Sequence, residues 1–263
     1  MGRQVKLFGT PVRIISLVPS QTELLSDLGL KDEIAGITKF CIHPEKIFRT
    51  KVRIGGTKKY DFEKIKALKP DLIIGNKEEN EEFQVKELMK HYPVWMSDIK
   101  TIAHALDMIT GIGKIVGKQE KAIELKIKIQ DRFRDLKQEI INLNIKPRSV
   151  SYFIWKNPYM VAGNDTFINH LLELCGFKNV FKTHSSPTPV RYPQVSIEDI
   201  RAATPEIILL SSEPYPFKEK HIAEFKGILP PATIKIIDGE LFSWYGSRLL
   251  HAPPYFLDLL RNL

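Results

Sequence analysis

The feature that most constrains the fold of this chain is an internal repeat. Residues 61–75 read DFEKIKALKPDLIIG, and residues 196–210 read SIEDIRAATPEIILL. Aligned without gaps, the copies share a glutamate, two isoleucines, an alanine and a proline. Each copy predicts a capping residue (Asp61 or Ser196), a two-turn helix ended by proline, and a strand buried on both faces. Two copies predict two related lobes.

The chain around the copies alternates β-rich and helical stretches, which is typical of an open parallel α/β sheet. Residues 118–144 break the alternation, because they contain no glycine or proline and present an apolar residue every three or four positions. That spacing predicts one face of a long helix. We therefore predict an α/β fold with two Rossmann-like lobes, each around a central, mostly parallel sheet, bridged by one long α-helix. The N-terminal lobe takes residues 1–117, the bridging helix 118–144 and the C-terminal lobe 145–263.

The composition of the chain limits the classes of partner that we expect for it. The net charge of +8 and the pI of about 9.3 keep nucleic-acid binding open as an alternative, but the basic residues are dispersed among acids. We predict no nucleic-acid partner. No apolar run reaches the length of a membrane-spanning helix, and the first residues lack the apolar core of a secretory signal. We therefore expect no direct membrane insertion.

The two cysteines, Cys41 and Cys175, fall one in each predicted lobe, so a disulfide framework is not indicated. The sequence contains none of the common nucleophile, phosphate-binding or zinc-protease motifs. Near the start, Ser20 and Glu23 have the spacing of a capping box, which predicts that a helix begins there.

Five motifs carry a resemblance to a known family, and they lie in order along the chain: RIISLVPSQTELL, IKALKPDLII, LLELCGFKNVF, YPQVSIEDI and SWYGSR. Together with the single long helix, they resemble the helical-backbone periplasmic binding proteins of ABC importers for vitamin B12, ferric siderophores and haem. The resemblance covers nearly the whole chain.

The resemblance implies a non-enzymatic, monomeric protein that binds a small-molecule metal chelate and delivers it to the transmembrane subunits of an ABC permease. It implies no intrinsic cofactor; the ligand would be a corrinoid such as cobalamin, with a ferric siderophore, another iron chelate or haem as the alternative. The location would be periplasmic or otherwise extracytoplasmic, and cytoplasmic is the alternative because no signal peptide is seen. Glu63 and Glu198 would each dock on arginines of the permease. The competing interpretation is that both acids only stabilise the first turn of a helix.

The ligand is expected in the cleft between the lobes, at loops that follow strands. The expected contacts combine aromatic faces with polar and charged groups; they are Ser20, Phe40, His43 and Lys58 from the N-terminal lobe, and Trp155, Tyr159, Tyr192, Trp244 and Arg248 from the C-terminal lobe. Aromatic rings suit a flat chelate because they give a large contact area at low entropic cost. Core or rim packing is the competing interpretation for each ring.

Two further alternatives concern metal. Cys41 and His43, spaced as C-x-H, are candidates for an axial ligand to cobalt or iron, against the interpretation that they belong to an ordinary loop. An α/β metal chelatase of tetrapyrroles, with His43 and His251 as cleft histidines, is the enzyme alternative.

Overall fold

Residues 5–181 and 190–263 are described in the computed structural model of the protein. The described residues fall into two compact units. The first unit comprises residues up to Ile99, Ala103–Gln130 and Trp244–Leu250. The second comprises Lys100–Ile102, Asp131–Ser243 and His251–Leu263. The long helix therefore contributes residues to both units.

The elements up to the long helix alternate strand and helix. In chain order they are β1 (Ile14–Ser16), α1 (Pro19–Asp27), β2 (Ile34–Ile37), α2 (Glu45–Thr50), β3 (Val52–Arg53), α3 (Phe62–Leu68), β4 (Leu72–Asn76), α4 (Glu82–Leu88), β5 (Val94–Ser97), α5 (Ile102–Ile115) and α6 (Gln119–Asn142). The strands form a five-stranded sheet in the order β3-β2-β1-β4-β5. Every pairing in it is parallel.

The elements after the long helix form a second sheet. They are β6 (Ser149–Trp155), β7 (Met160–Val161), α7 (Phe167–Leu174), β8 (Lys178–Asn179), α8 (Ile197–Ala203), β9 (Ile207–Ser211), α9 (Glu219–Ile228), β10 (Thr233–Ile237), α10 (Gly239–Ser243), a 3-10 helix (Ser247–Leu250) and α11 (Ala252–Arg261). The strand order is β10-β9-β6-β7, and β8 also pairs with β6. Only β7 runs antiparallel to β6. Two mostly parallel sheets flanked by helices confirm the predicted α/β class.

The internal repeat is a structural repeat. The Asp61 side chain caps α3 by accepting a hydrogen bond from the backbone N–H of Lys64. The Ser196 side chain caps α8 in the same way, by accepting one from the backbone N–H of Asp199. Both helices end at a residue in the left-handed conformation, Lys69 (φ 46°) and Thr204 (φ 43°), and a buried proline follows each. The apolar strands β4 and β9 come next and are buried throughout, as the sequence predicts.

An acid at the same place in each copy fixes the neighbouring strand. The Asp71 carboxylate accepts the backbone N–H groups of Val12 (2.8 Å) and Arg13 (2.9 Å), immediately before β1. The Glu206 carboxylate accepts the backbone N–H (2.7 Å) and the hydroxyl (2.9 Å) of Ser149, at the start of β6. These hydrogen bonds hold the pKa of Glu206 below its usual value. Each acid thereby ties its strand to the parallel strand beside it.

The predicted apolar face of residues 118–144 faces inward in α6. Ala122, Ile129 and Leu136 are buried, and the helix ends two residues earlier than predicted. None of the described helices combines the length and apolar character needed to cross a membrane.

Two predictions about local structure are wrong. No capping box starts α1: its N-cap is Val18, without a side-chain hydrogen bond, because Pro19 occupies the first helical position. Glu23, predicted to cap, instead binds an arginine from the end of the chain.

The segment Trp244–Leu250, predicted in the C-terminal lobe, belongs to the first unit because its side chains and backbone pack on α1 and on the loop after β4.

The capping hydrogen bond of α8 leads to a prediction about the free energy of unfolding. Ser196→Ala removes the acceptor for the Asp199 N–H and should lower the free energy of unfolding by about 1 kcal/mol. Ser196→Asp, which restores an acceptor at the cap, should recover most of that loss. Urea denaturation measures both, and an alanine variant as stable as the parent would contradict the capping role.

Candidate ligand-binding surfaces

Loops that follow parallel strands of the first unit define its candidate site, because the carboxyl ends of parallel strands lie at one edge of a sheet. We call residues 19–20, 38–43, 55–60 and 77–80 the first-unit surface; they follow β1, β2, β3 and β4. Phe40 and Ile42 are exposed there, at 50% and 44%. His43 is half-buried. The predicted contacts Phe40, His43 and Lys58 belong to this surface, whereas the predicted contact Ser20 is only 2% exposed, so its burial does not favour a direct contact.

Hydrogen bonds hold the loop after β4 against its neighbours. The Asn80 side chain accepts the Asn76 backbone N–H (2.8 Å) and donates to the carbonyls of Leu17 and Thr57. Lys58 Nζ donates to the Glu78 carbonyl at 3.1 Å. The loops after β1, β3 and β4 are therefore linked through backbone groups, which gives the surface a defined shape.

Cys41 lies beneath this surface and does not reach it. Its side chain is 0% exposed, and its thiol contacts the hydroxyls of Thr22 (3.1 Å) and Thr38 (3.2 Å). Burial raises the pKa of the thiol to about 11, so it stays protonated at neutral pH. Because Cys41 has no exposed surface, the structure does not favour it as an axial ligand of a bound chelate. Cys175 is a buried free thiol, as the sequence predicts.

The segment Trp244–Leu250 packs against other residues of the first unit. Arg248 binds Glu23 through two hydrogen bonds of 2.9 and 2.6 Å, and both side chains are less than a fifth exposed. The guanidinium group also stacks over the Trp244 ring at 4.5 Å. His43 meets the same ring in a T-shaped contact at 5.7 Å. Trp244 is only 6% exposed, so it supports His43 and Arg248 from below; its predicted ligand contact is not favoured by this burial.

Tyr245 anchors the same segment. Its hydroxyl donates to the Glu79 carboxylate, and burial together with the negative charge of Glu79 raises the pKa of the phenol well above its usual value. Gly246 lies so close to the Ser20 carbonyl that an added Cβ would be 2.6 Å from that oxygen. A side chain at this position would push the segment off α1.

The second unit has an aromatic pair at the carboxyl ends of β6 and β9, an exposed tryptophan and a half-buried tyrosine. Trp155 ends β6 and is 40% exposed. Its ring meets Tyr215 in a T-shaped contact at 5.7 Å, and the Tyr215 N–H donates to the Ile154 carbonyl. We call Trp155, Tyr215 and the loop 212–216 the second-unit surface. The predicted contact Trp155 thus lies at the edge of the sheet where ligands bind in α/β folds.

Tyr159 is half-buried and packs against the hydrophobic core of the second unit. Its ring packs against Phe153 (5.9 Å) and Phe225 (5.3 Å). Its hydroxyl donates to Glu224, which also pairs with Lys156. Core packing, the competing interpretation in the sequence analysis, is what the structure favours for this residue.

Tyr192 lies beside β7 and is half-buried. The backbone on either side of it accepts hydrogen bonds from Val161 and Gly163. The neighbouring Arg191 pairs with Asp165 at 3.6 Å. This pairing holds the guanidinium beside the β7 strand.

The two predicted docking acids occupy equivalent positions. Glu63 and Glu198 are exposed in the first turn of α3 and α8. An apolar residue precedes each one, Phe62 (36% exposed) and Ile197 (37%). Their docking role stays a prediction.

The metal-chelatase alternative gains no support. Within residues 5–181 and 190–263, no group of three or more His, Cys, Asp or Glu side chains is arranged to hold a metal ion. His251 is an exposed residue at the start of α11.

Sequence reasoning missed Glu23, Glu79 and Tyr215. Glu79 and Tyr215 lie in the loops directly after β4 and β9, the two repeat strands, so the repeat itself was a signal that pointed to them. Glu23 carried no such signal, because its partner Arg248 lies far along the chain.

Two α/β units with aromatic side chains at the carboxyl ends of parallel strands define a protein built to hold a ligand. The family model described as periplasmic binding protein matches residues 14–227, which include both repeat copies. The match extends over most of the chain, and the chain belongs to this family.

Individual relatives agree with this assignment. The vitamin B12-binding protein of Photorhabdus laumondii is 27% identical over 206 residues, which cover 78% of this chain and 72% of that protein. The crystal structure of the periplasmic vitamin B12 binding protein BtuF of Vibrio cholerae has a TM-score of 0.80 at 23% identity, covering 97% of this chain and 99% of that one. A periplasmic heme binding protein from Pseudomonas aeruginosa has a TM-score of 0.81 at 18% identity, covering 95% and 92%. These two structural likenesses show a common fold.

The pair of Glu23 and Arg248 makes a prediction about the first-unit surface. A double-mutant cycle on Glu23→Ala and Arg248→Ala should give a coupling energy of about 1–2 kcal/mol, because both groups are largely withdrawn from water. The exposed pair of Glu45 and Arg49 is the matched control and should show coupling close to zero. Chemical unfolding measures both cycles, and equal coupling in the two pairs would contradict the anchoring role.

Proposed function

We propose that this chain is the substrate-binding protein of an ABC importer and that its ligand is a metal chelate, foremost a corrinoid. The observation that carries the proposal is the pair of exposed aromatic positions at strand ends, Phe40 in the first unit and Trp155 in the second. Membership in the periplasmic binding protein family and the vitamin B12-binding relatives support it. A ferric siderophore or haem is the second candidate, supported by the fold shared with heme binding proteins.

We propose that the role is binding and delivery, without catalysis, and that the protein acts as a monomer in an extracytoplasmic compartment. The proposed contacts on the first unit are Phe40, His43 and Lys58, with Ser20 and Arg248 shaping the surface. On the second unit they are Trp155 and Tyr192, with Tyr215 added from the structure. Apolar rings provide contact with the macrocycle or chelate, and the polar groups orient it.

Titration with cyanocobalamin, haem and a ferric siderophore tests the proposal. The ligand should bind with one-to-one or similar saturable stoichiometry by calorimetry and should quench the fluorescence of Trp155, since all three ligands absorb light. Trp155→Ala should weaken binding by about tenfold, the loss expected for one aromatic contact. Trp95→Phe, on strand β5 and outside both surfaces, is the control and should bind as the parent does. Failure of all three ligands to bind would refute the proposal.

The docking acids are tested by transport. Glu63→Lys with Glu198→Lys should abolish ligand uptake by the cognate importer while ligand affinity stays within about twofold of the parent, because both acids are exposed in short helices outside the two surfaces. Glu120→Lys, also an exposed first-turn acid, is the matched control and should transport normally. Normal transport by the double variant would show that the acids serve only their helices.

A further inference from the structure

Three exposed lysines lie in the two neighbouring loops at the exposed ring of Phe40. Lys39 follows β2, and Lys58 and Lys59 lie in the loop after β3; all three side chains belong to exposed residues. The Lys39 ammonium lies 5.0 Å from the centre of the Phe40 ring. Exposed Ile42 completes the apolar part. We call Lys39, Phe40, Ile42, Lys58 and Lys59 the lysine-aromatic patch.

Backbone contacts and two glycines hold the patch together. Lys39 N–H donates to the Gly55 carbonyl at 2.8 Å, and Gly56 N–H donates to the Lys59 carbonyl at 2.9 Å. Gly55 has a φ of 113°, and an added Cβ there would lie 2.3 Å from the Lys59 carbonyl oxygen. At Gly56 an added Cβ would lie 3.3 Å from the Phe40 ring. The glycines thus let the loop that carries Lys58 and Lys59 approach the loop that carries Lys39 and Phe40.

The lysines of the lysine-aromatic patch differ in their ion pairing from the other cations near the two surfaces. Arg248 is held by Glu23, Arg191 by Asp165 and Lys156 by Glu224. Among residues 5–181 and 190–263, no carboxylate lies within ion-pair distance of the ammonium groups of Lys39, Lys58 or Lys59. Lys58 instead donates to a backbone carbonyl. Positive charge at this edge is therefore available to a ligand.

We propose that the ligand carries acidic substituents, carboxylate or phosphate, that are bound by Lys39 and Lys58 with Lys59 while Phe40 and Ile42 contact its apolar face. The proposal rests on the proposed function and deepens it, because it names the charge of the chelate. Contact of the ligand with Phe40 removes water from the ammonium of Lys39, and a charge pair becomes stronger as water is removed. Arg248 is not the anion-binding group, since Glu23 occupies its guanidinium fork.

Matched ligands that differ in charge alone test the proposal. One pair is haem and its dimethyl ester; the other is a monocarboxylic acid derived from cyanocobalamin and cyanocobalamin itself. In the pair that binds, the acidic member should bind about three- to fivefold more tightly for each additional carboxylate, the range of an exposed ion pair. The preference should shrink as salt is raised from about 0.05 to 0.5 M, because salt screens exposed charges.

Variants test whether the lysines of the patch cause the preference for the acidic ligand. Lys39→Gln with Lys58→Gln should reduce the preference to less than about twofold. Lys31→Gln is the matched control: Lys31 is an exposed lysine that precedes β2, whereas Lys39 follows the same strand. The control should keep the full preference.

The outcomes separate the two proposals. Binding of the neutral members with equal or higher affinity, or a preference that survives loss of both lysines, would overturn the inference and leave the proposed function intact. Absence of binding by every member of both pairs, together with failure of the ferric siderophore to bind, would overturn the proposed function and the inference with it.

Discussion

The structure depends on one constraint, the need to start a parallel strand in register with a neighbour that is distant in sequence. In each repeat copy an acid at the strand start satisfies it: Asp71 binds the backbone before β1, and Glu206 binds Ser149 at the start of β6. The left-handed residue and the proline before each acid end the helix and turn the chain into the strand. Because register sets which side chains reach the carboxyl edge, these contacts also determine where the candidate ligand contacts lie.

The two units use that edge differently. In the first unit, charged and hydrogen-bonded groups dominate: Glu23, Glu79, Tyr245 and Arg248 fix a segment from the end of the chain against α1. In the second unit the edge is aromatic, with Trp155 against Tyr215.

Residue identity alone misjudged several side chains. Cys41 and Trp244 have the chemistry expected of a ligand site, yet both are buried, the first under two threonine hydroxyls and the second beneath Arg248 and beside His43. Tyr159 is half-buried and packs against Phe225 of the core. Phe40 and Trp155, predicted by the same reasoning, are exposed. Sequence does not separate these cases, because exposure depends on which distant residues cover a ring.

The sequence by itself determined the α/β class, the repeat with its caps and strands, and the long helix. These features follow from local physics: capping oxygens, prolines that end helices, and apolar runs or apolar faces of a fixed period. Only the tertiary structure decided that Trp244–Leu250 belongs to the first unit and that Glu23 binds Arg248 instead of capping α1. It also decided that the loop of Lys39 and the loop of Lys58 lie side by side. Such pairings join residues far apart in the chain, and no local pattern of the sequence encodes them.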